Sequence, residues 1–152
     1  SQAILQYIAA KTGAELWPKD LKGQANVLRA FNFSAGNWNK SLGRLVHQKV
    51  HLPAWGHKPH QATVDKLQDL CYKDLQALEQ TLSQQQYVAG SQLTIADFSI
   101  AAHLFCHQQL DLELNQFAQV QRWLPLLEKL PAWRTTQHTR KTFLTQIHAY
   151  TS

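Results

Sequence analysis

Residues 94–106, TIADFSIAAHLFC, constrain the fold more than any other stretch. Read as a helix, Ile95, Ala96, Phe98, Ile100, Ala101, Ala102, Leu104 and Phe105 cover nearly every side with apolar groups. Such a helix belongs in the middle of a bundle. Its first N–H groups are then cut off from water and need local acceptors. Thr94 and Asp97 supply a capping box: the Thr94 hydroxyl is expected to accept from the Asp97 N–H, and the Asp97 carboxylate from the Thr94 N–H. Leu93 and Phe98 stand at the two positions of a hydrophobic staple. Thr94 and Asp97 are therefore structural caps, and Asp97 is not read as a catalytic acid.

Strand patterns are nearly absent elsewhere, so the expected fold is all-α, a helical bundle around the 94–106 helix. Residues 1–13 form a compact first helix that Ser1 can cap and Gly13 ends, with Ile4, Leu5 and Ile8 on one face. Residues 14–20 are a linker containing Pro18. Asp20 sits where an N-cap should and opens a long second helix running to about Val50. HLPAWGHKPH, residues 51–60, is expected as a loop. From Gln61 to Ser83, the residues Val64, Leu67, Leu70, Cys71, Leu75 and Leu78 recur with helical period. Two further helical stretches are expected, around Phe117–Leu130 and from Pro131 onward, with Pro125 kinking or splitting the first.

Several function classes are excluded at this level. The net charge is +5, yet Lys and Arg are scattered, with no run of four and no aromatic RNA-binding signature, so no nucleic-acid partner is expected. No stretch of about 18 apolar residues argues for a membrane span, and the first residues carry no secretory pattern. Two cysteines give no disulfide framework, which fits a reducing cytoplasm. His103, Cys106 and His107 lie close in sequence, and His47 and His51 are an i,i+4 pair that zinc can use. Neither set has a third and fourth ligand at fixed spacing, so no metal is expected. A zinc-stabilised bundle is the weakest of the alternatives.

Asn32, Gly36, Asn39 and Gly43 recur at spacings of four, three and four along the second helix. Small and polar residues on one stripe suit the wall of a cleft, and each interior glycine costs about 1 kcal/mol relative to alanine. The bland alternative is a solvated face. Phe31, Phe33 and Trp38 would add apolar surface, or simply core.

YVAGSQLTIADFSIAAHL resembles the turn and capping box that open the core helix of the C-terminal domain in glutathione transferases. SQAILQYIAAKTGAELWPKD is similar to the last helix of that family's thioredoxin-like domain with its linker, and FAQVQRWLPLLEKLPAW to its late helix. AFNFSAGNWNK resembles the bacterial beta class, with Asn32 and Lys40 matching and Asn37 and Asn39 replacing an acidic residue and a histidine. The resemblance implies three parts: residues 1–13 as the end of an otherwise missing thioredoxin-like domain, 14–20 as linker, and 21–152 as the helical domain. It implies glutathione as co-substrate, held through Ser1, Asn32, Asn39 and Lys40, with Phe31, Gly36, Asn37 and Trp38 facing a small-molecule electrophile. It also implies a cytoplasmic homodimer active in detoxification. The catalytic residue would belong to the missing domain, so the chain is expected to be inactive by itself, as a fragment. A non-catalytic protein-interaction module of the same fold is the alternative.

Overall fold

A computed structural model describes residues 1–104, 106–136 and 139. Helix α1 spans Gln2–Thr12. Ser1 occupies its N-cap position, but its side chain makes no capping hydrogen bond, contrary to expectation. Gly13, at φ +64°, ends the helix in a left-handed turn: its N–H donates to Ala10 O and the Ala14 N–H to Ala9 O. Glycine is favoured there because any side chain would strain that backbone.

The second helix, α2, covers residues 21–54 without a break. It comprises Leu21–Phe33 as α-helix, Ser34–Gly43 as π-helix, Arg44–Val46 as α-helix, His47–His51 as π-helix and Leu52–Ala54 as α-helix. Asp20 caps it as expected, accepting from the Gly23 N–H at 2.8 Å. The helix outruns the expected end near Val50 and closes at Ala54; Pro53, close to that end, removes one backbone N–H without stopping the helix before it. The loop begins only at Trp55. Gly56, at φ +77°, turns the chain out, and the His57 N–H closes onto Leu52 O.

Helix α3, Gln61–Gln84, buries Val64, Leu67, Cys71, Leu75, Leu78 and Leu82. Leu70 is off this stripe and exposed, a correction to the sequence pattern: one residue before Cys71 is about 100° around the helix. Helix α4, Ile95–Leu104, lies against α1, α2 and the next helix. Helix α5, Ala118–Glu128, keeps Pro125 inside without splitting, since Pro125 and Gln121 lie on its exposed side, where an unpaired carbonyl can turn to water. Residues 131–136 are again helical, and the rest of that expected stretch lies outside the described residues apart from Thr139.

All four N–H groups at the start of α4 find acceptors. Thr94 N donates to Asp97 Oδ2 (2.9 Å), Ile95 N to Leu16 O (3.1 Å), Ala96 N to Thr94 Oγ1 (3.3 Å) and Asp97 N to Thr94 O (3.1 Å). The carboxylate half of the capping box is as expected. The hydroxyl half differs, for Thr94 Oγ1 takes the Ala96 N–H and itself donates to Asp97 Oδ2. Leu93 and Phe98 are half-buried against the core. Asp97, fully buried, also accepts from the Val88 N–H and the Trp123 indole N–H, both at 2.9 Å. One carboxylate thus ties together the 85–94 turn, α4 and α5. Burial pushes its pKa up, while the bonds from Val88, Thr94 and Trp123 pull it down.

Helices α3 and α5 cap one another. The α5 N-cap, Phe117, offers no side-chain acceptor. Instead Glu79 of α3 accepts from Gln119 N (2.9 and 3.0 Å) and Val120 N (2.9 Å). In return, Arg122 of α5 donates to the carbonyls of Leu82 (2.9 Å) and Gln85 (3.2 Å) at the end of α3. Each charge also matches the helix dipole that it faces.

Candidate functional site

The start of α1, the π-helical stretch of α2, α4 and residues 131–136 surround a cleft of about 670 Å³. Gln2 fixes the start of α1 on α2, its side-chain amide donating to Phe31 O at 2.9 Å. Ser1, Gln2, Ser34, Asn39, Ser99, His103 and Thr136 give the cleft its polar lining, while Leu5, Phe98 and Trp133 are its large apolar groups. The Ser99 hydroxyl donates to Ser34 Oγ at 3.3 Å, and the His103 ring lies with Nδ1 3.3 Å from Ser99 O. Phe98 and Trp133 pack with centroids 6.2 Å apart. No Asp, Glu, Lys or Arg side chain is among the described lining residues.

Of the residues expected to hold glutathione, Ser1 and Asn39 line this cleft, whereas Asn32 and Lys40 are exposed and do not. Of those expected to face an electrophile, none lines it. Phe31 and Trp38 are core residues, and the Trp38 indole N–H donates to Ile100 O at 3.1 Å. Gly36 is half-buried and Asn37 exposed. The expected stripe breaks up because Ser34–Gly43 is π-helical, so residues spaced for an α-helical face fall out of line. Gly43 keeps one justification for its missing side chain: a Cβ there would sit 2.5 Å from Asn39 Oδ1. A Cβ on Gly36 would meet nothing within 4 Å.

Ser34, Ser99 and His103 were not expected. A signal existed: Ser99 and His103 are polar residues four apart on a helix that is apolar apart from them and Asp97, which marks a wetter stripe. A larger depression of about 850 Å³ lies between residues 107–115 and α5, and none of the expected site residues lines it.

Both cysteines are buried. Burial pushes the Cys71 thiol up to about 12, outweighing its hydrogen bond with Ser41, so it is no nucleophile at neutral pH. Ser41 donates to Asp74 Oδ2 at 2.5 Å, making this group a packing element between α2 and α3. Cys106 lies in the turn after α4 and not on the helix, which ends at Leu104. Among the described residues, no group of three or more His, Cys, Asp or Glu is arranged to hold a metal ion. No described helix is long and apolar enough to cross a membrane.

Over residues 43–131 the chain matches the family described as "Glutathione S-transferase, C-terminal domain". Glutathione S-transferase D6 of Drosophila melanogaster is 27% identical over 136 residues, covering 88% of this chain and 60% of the fly protein. Among solved structures, glutathione S-transferase-I bound with lactoylglutathione superimposes with a TM-score of 0.85 at 25% identity, over 91% of this chain and 68% of that one. Glutathione S-transferase unclassified 2 from Bombyx mori gives 0.76 at 27% identity, over 96% and 66%. The chain therefore spans 60% of the length of its fly relative. The buried helix opened by Thr94 and Asp97, the all-helical frame around it and the matched residues agree: this chain belongs to the glutathione S-transferase C-terminal domain family.

Proposed function

We propose that this helical unit forms one wall of a glutathione-dependent transferase site and supplies its electrophile pocket. The cleft carries the reading. It joins the N-terminus of an eleven-residue helix to an aromatic wall, in a frame shared with a structure whose partner is lactoylglutathione. The free N–H groups at the start of α1 and the exposed Ser1 hydroxyl suit a carboxylate of glutathione. Asn39 offers a donor and an acceptor beside them. Phe98 and Trp133 offer stacking surface to an uncharged electrophile, consistent with a lining that holds no acidic or strongly basic side chain.

In the reaction, the glutathione sulfur forms a bond to an electrophilic carbon, the thiol proton leaves to a base, and any leaving group departs with its electron pair. Activation of the thiol belongs to a thioredoxin-like unit, on the same polypeptide or another, seated on the exposed stripe Ile4, Tyr7 and Ile8 of α1. The helical unit alone does not conjugate. Dimerisation and a cytoplasmic setting are part of this reading. The beta-class affinity rests on Asn32 and Lys40.

The test is titration with S-hexylglutathione, followed by calorimetry and by amide shifts. Saturable binding that moves Ser1, Asn39, Ser99 and His103, and weakens in Asn39→Ala, supports the reading. Shifts confined to residues 107–115 and α5 overturn it. If the unit alone does not bind, a glutathione transferase thioredoxin-like domain added in trans restores binding, and continued absence of binding overturns the reading.

A further inference from the structure

The C-terminal end of α2 carries two imidazoles that neither the core nor the cleft uses. His47 and His51 open and close the π-helical segment His47–His51 and are both exposed. Their ring centroids are 6.0 Å apart, edge to face at 82°. Trp55, one turn further and 61% exposed, packs against both, its centroid 5.7 Å from each. The indole thereby restricts both side chains to rotamers on one side of the helix. Among the described residues neither imidazole is hydrogen-bonded, so both rings retain a nitrogen lone pair for another partner.

We propose that His47 and His51 chelate an exchangeable divalent transition-metal ion, Cu²⁺ in preference to Zn²⁺, with water filling the remaining positions. Two imidazoles whose ring centroids lie 6.0 Å apart on one helix can chelate such an ion together. Neutral nitrogen donors suit copper and zinc over magnesium or calcium, and copper stands highest in the divalent series. Two protein ligands leave the shell half open, as expected of a labile surface site and unlike a four-ligand structural centre. The site is separate from the cleft and does not rest on the transferase reading.

The probe is CuCl₂ titrated into the 152-residue chain, read by tryptophan fluorescence and calorimetry. Trp55 is the most exposed tryptophan and sits against both rings, so a saturable partial quench at one ion per chain, reversed by EDTA, is expected. Trp55→Phe loses that quench but keeps the heat of binding. His47→Gln or His51→Gln weakens binding by about tenfold or more, since losing a second-shell partner alone costs 10–100-fold and a ligand matters no less. The double variant His57→Gln/His60→Gln leaves binding unchanged. Unaltered affinity in His47→Gln/His51→Gln, or loss of binding in the His57/His60 variant instead, overturns the proposal. Both pairs are on the surface, so all variants fold and every outcome can be read.

Discussion

Replacing Asp97 by Asn keeps the shape of the side chain and changes only its hydrogen bonding. With the carboxamide oxygen in the place of Oδ1, the bonds from the Val88 N–H and the Trp123 indole survive, each without its charge assistance. The amide nitrogen then faces the Thr94 N–H, donor against donor, and that buried group loses its acceptor. An orphaned buried donor costs about 1–3 kcal/mol, and each remaining bond weakens by about 1 kcal/mol. Removing the charge recovers part of its desolvation cost, the largest cause of the raised pKa. The net expectation is a loss of about 2–4 kcal/mol, a large share of the ~5–15 kcal/mol that holds a domain. Asp97→Ala orphans three N–H groups and should cost more than Asp97→Asn. Urea unfolding followed by tryptophan fluorescence measures both, and a Tm drop of about 5–15 °C should accompany Asp97→Asn. Two results would refute the reasoning: Asp97→Asn within about 0.5 kcal/mol of wild type, or Asp97→Ala milder than Asp97→Asn.

Glu79→Ala removes the only side-chain cap described for α5 and should cost about 1–2 kcal/mol in the same assay, with Glu79→Gln intermediate. Cys71 titrates near 9.0 unfolded and about 12 folded, so its contribution is complete below pH 9 and is lost as pH rises through 12. At about pH 10 wild type should already have lost stability relative to Cys71→Ala, on the order of 1 kcal/mol, and equal alkaline slopes for the two proteins would contradict this. Gly36→Ala, with open space around its Cβ, should stabilise by about 0.5–1 kcal/mol. Gly43→Ala should gain less and displace the Asn39 side chain, which an equal rise in Tm would disprove.

The fold was legible wherever short-range chemistry decides it. Gly13, Asp20 and the Thr94/Asp97 pair act within a few residues, and the apolar coverage of residues 95–104 states where that helix must lie. Contacts between distant parts of the chain leave no such local mark. That Asp97 also holds Val88 and Trp123 depends on elements 9 and 26 residues away. The cap on α5 comes from 40 residues upstream and leaves no mark near Phe117. The cleft was half legible. Asn39 and Ser1 do line it, but the π-helical winding of residues 34–43 moves other residues of the expected stripe off the cleft lining. A spacing argument assumes 3.6 residues per turn, and nothing local in SAGNWNKSLG announces otherwise.

The mutual capping of α3 and α5 bears on how the molecule opens. A helix terminus ordinarily frays by itself, a residue or two at a time. Here the last carbonyls of α3 are held by Arg122 and the first amides of α5 by Glu79. Loosening one end draws away the side chain that pins the other. These two termini, some 35 residues apart in sequence, form a single latch, and the least protected part of each helix should exchange its amide protons in one shared opening step.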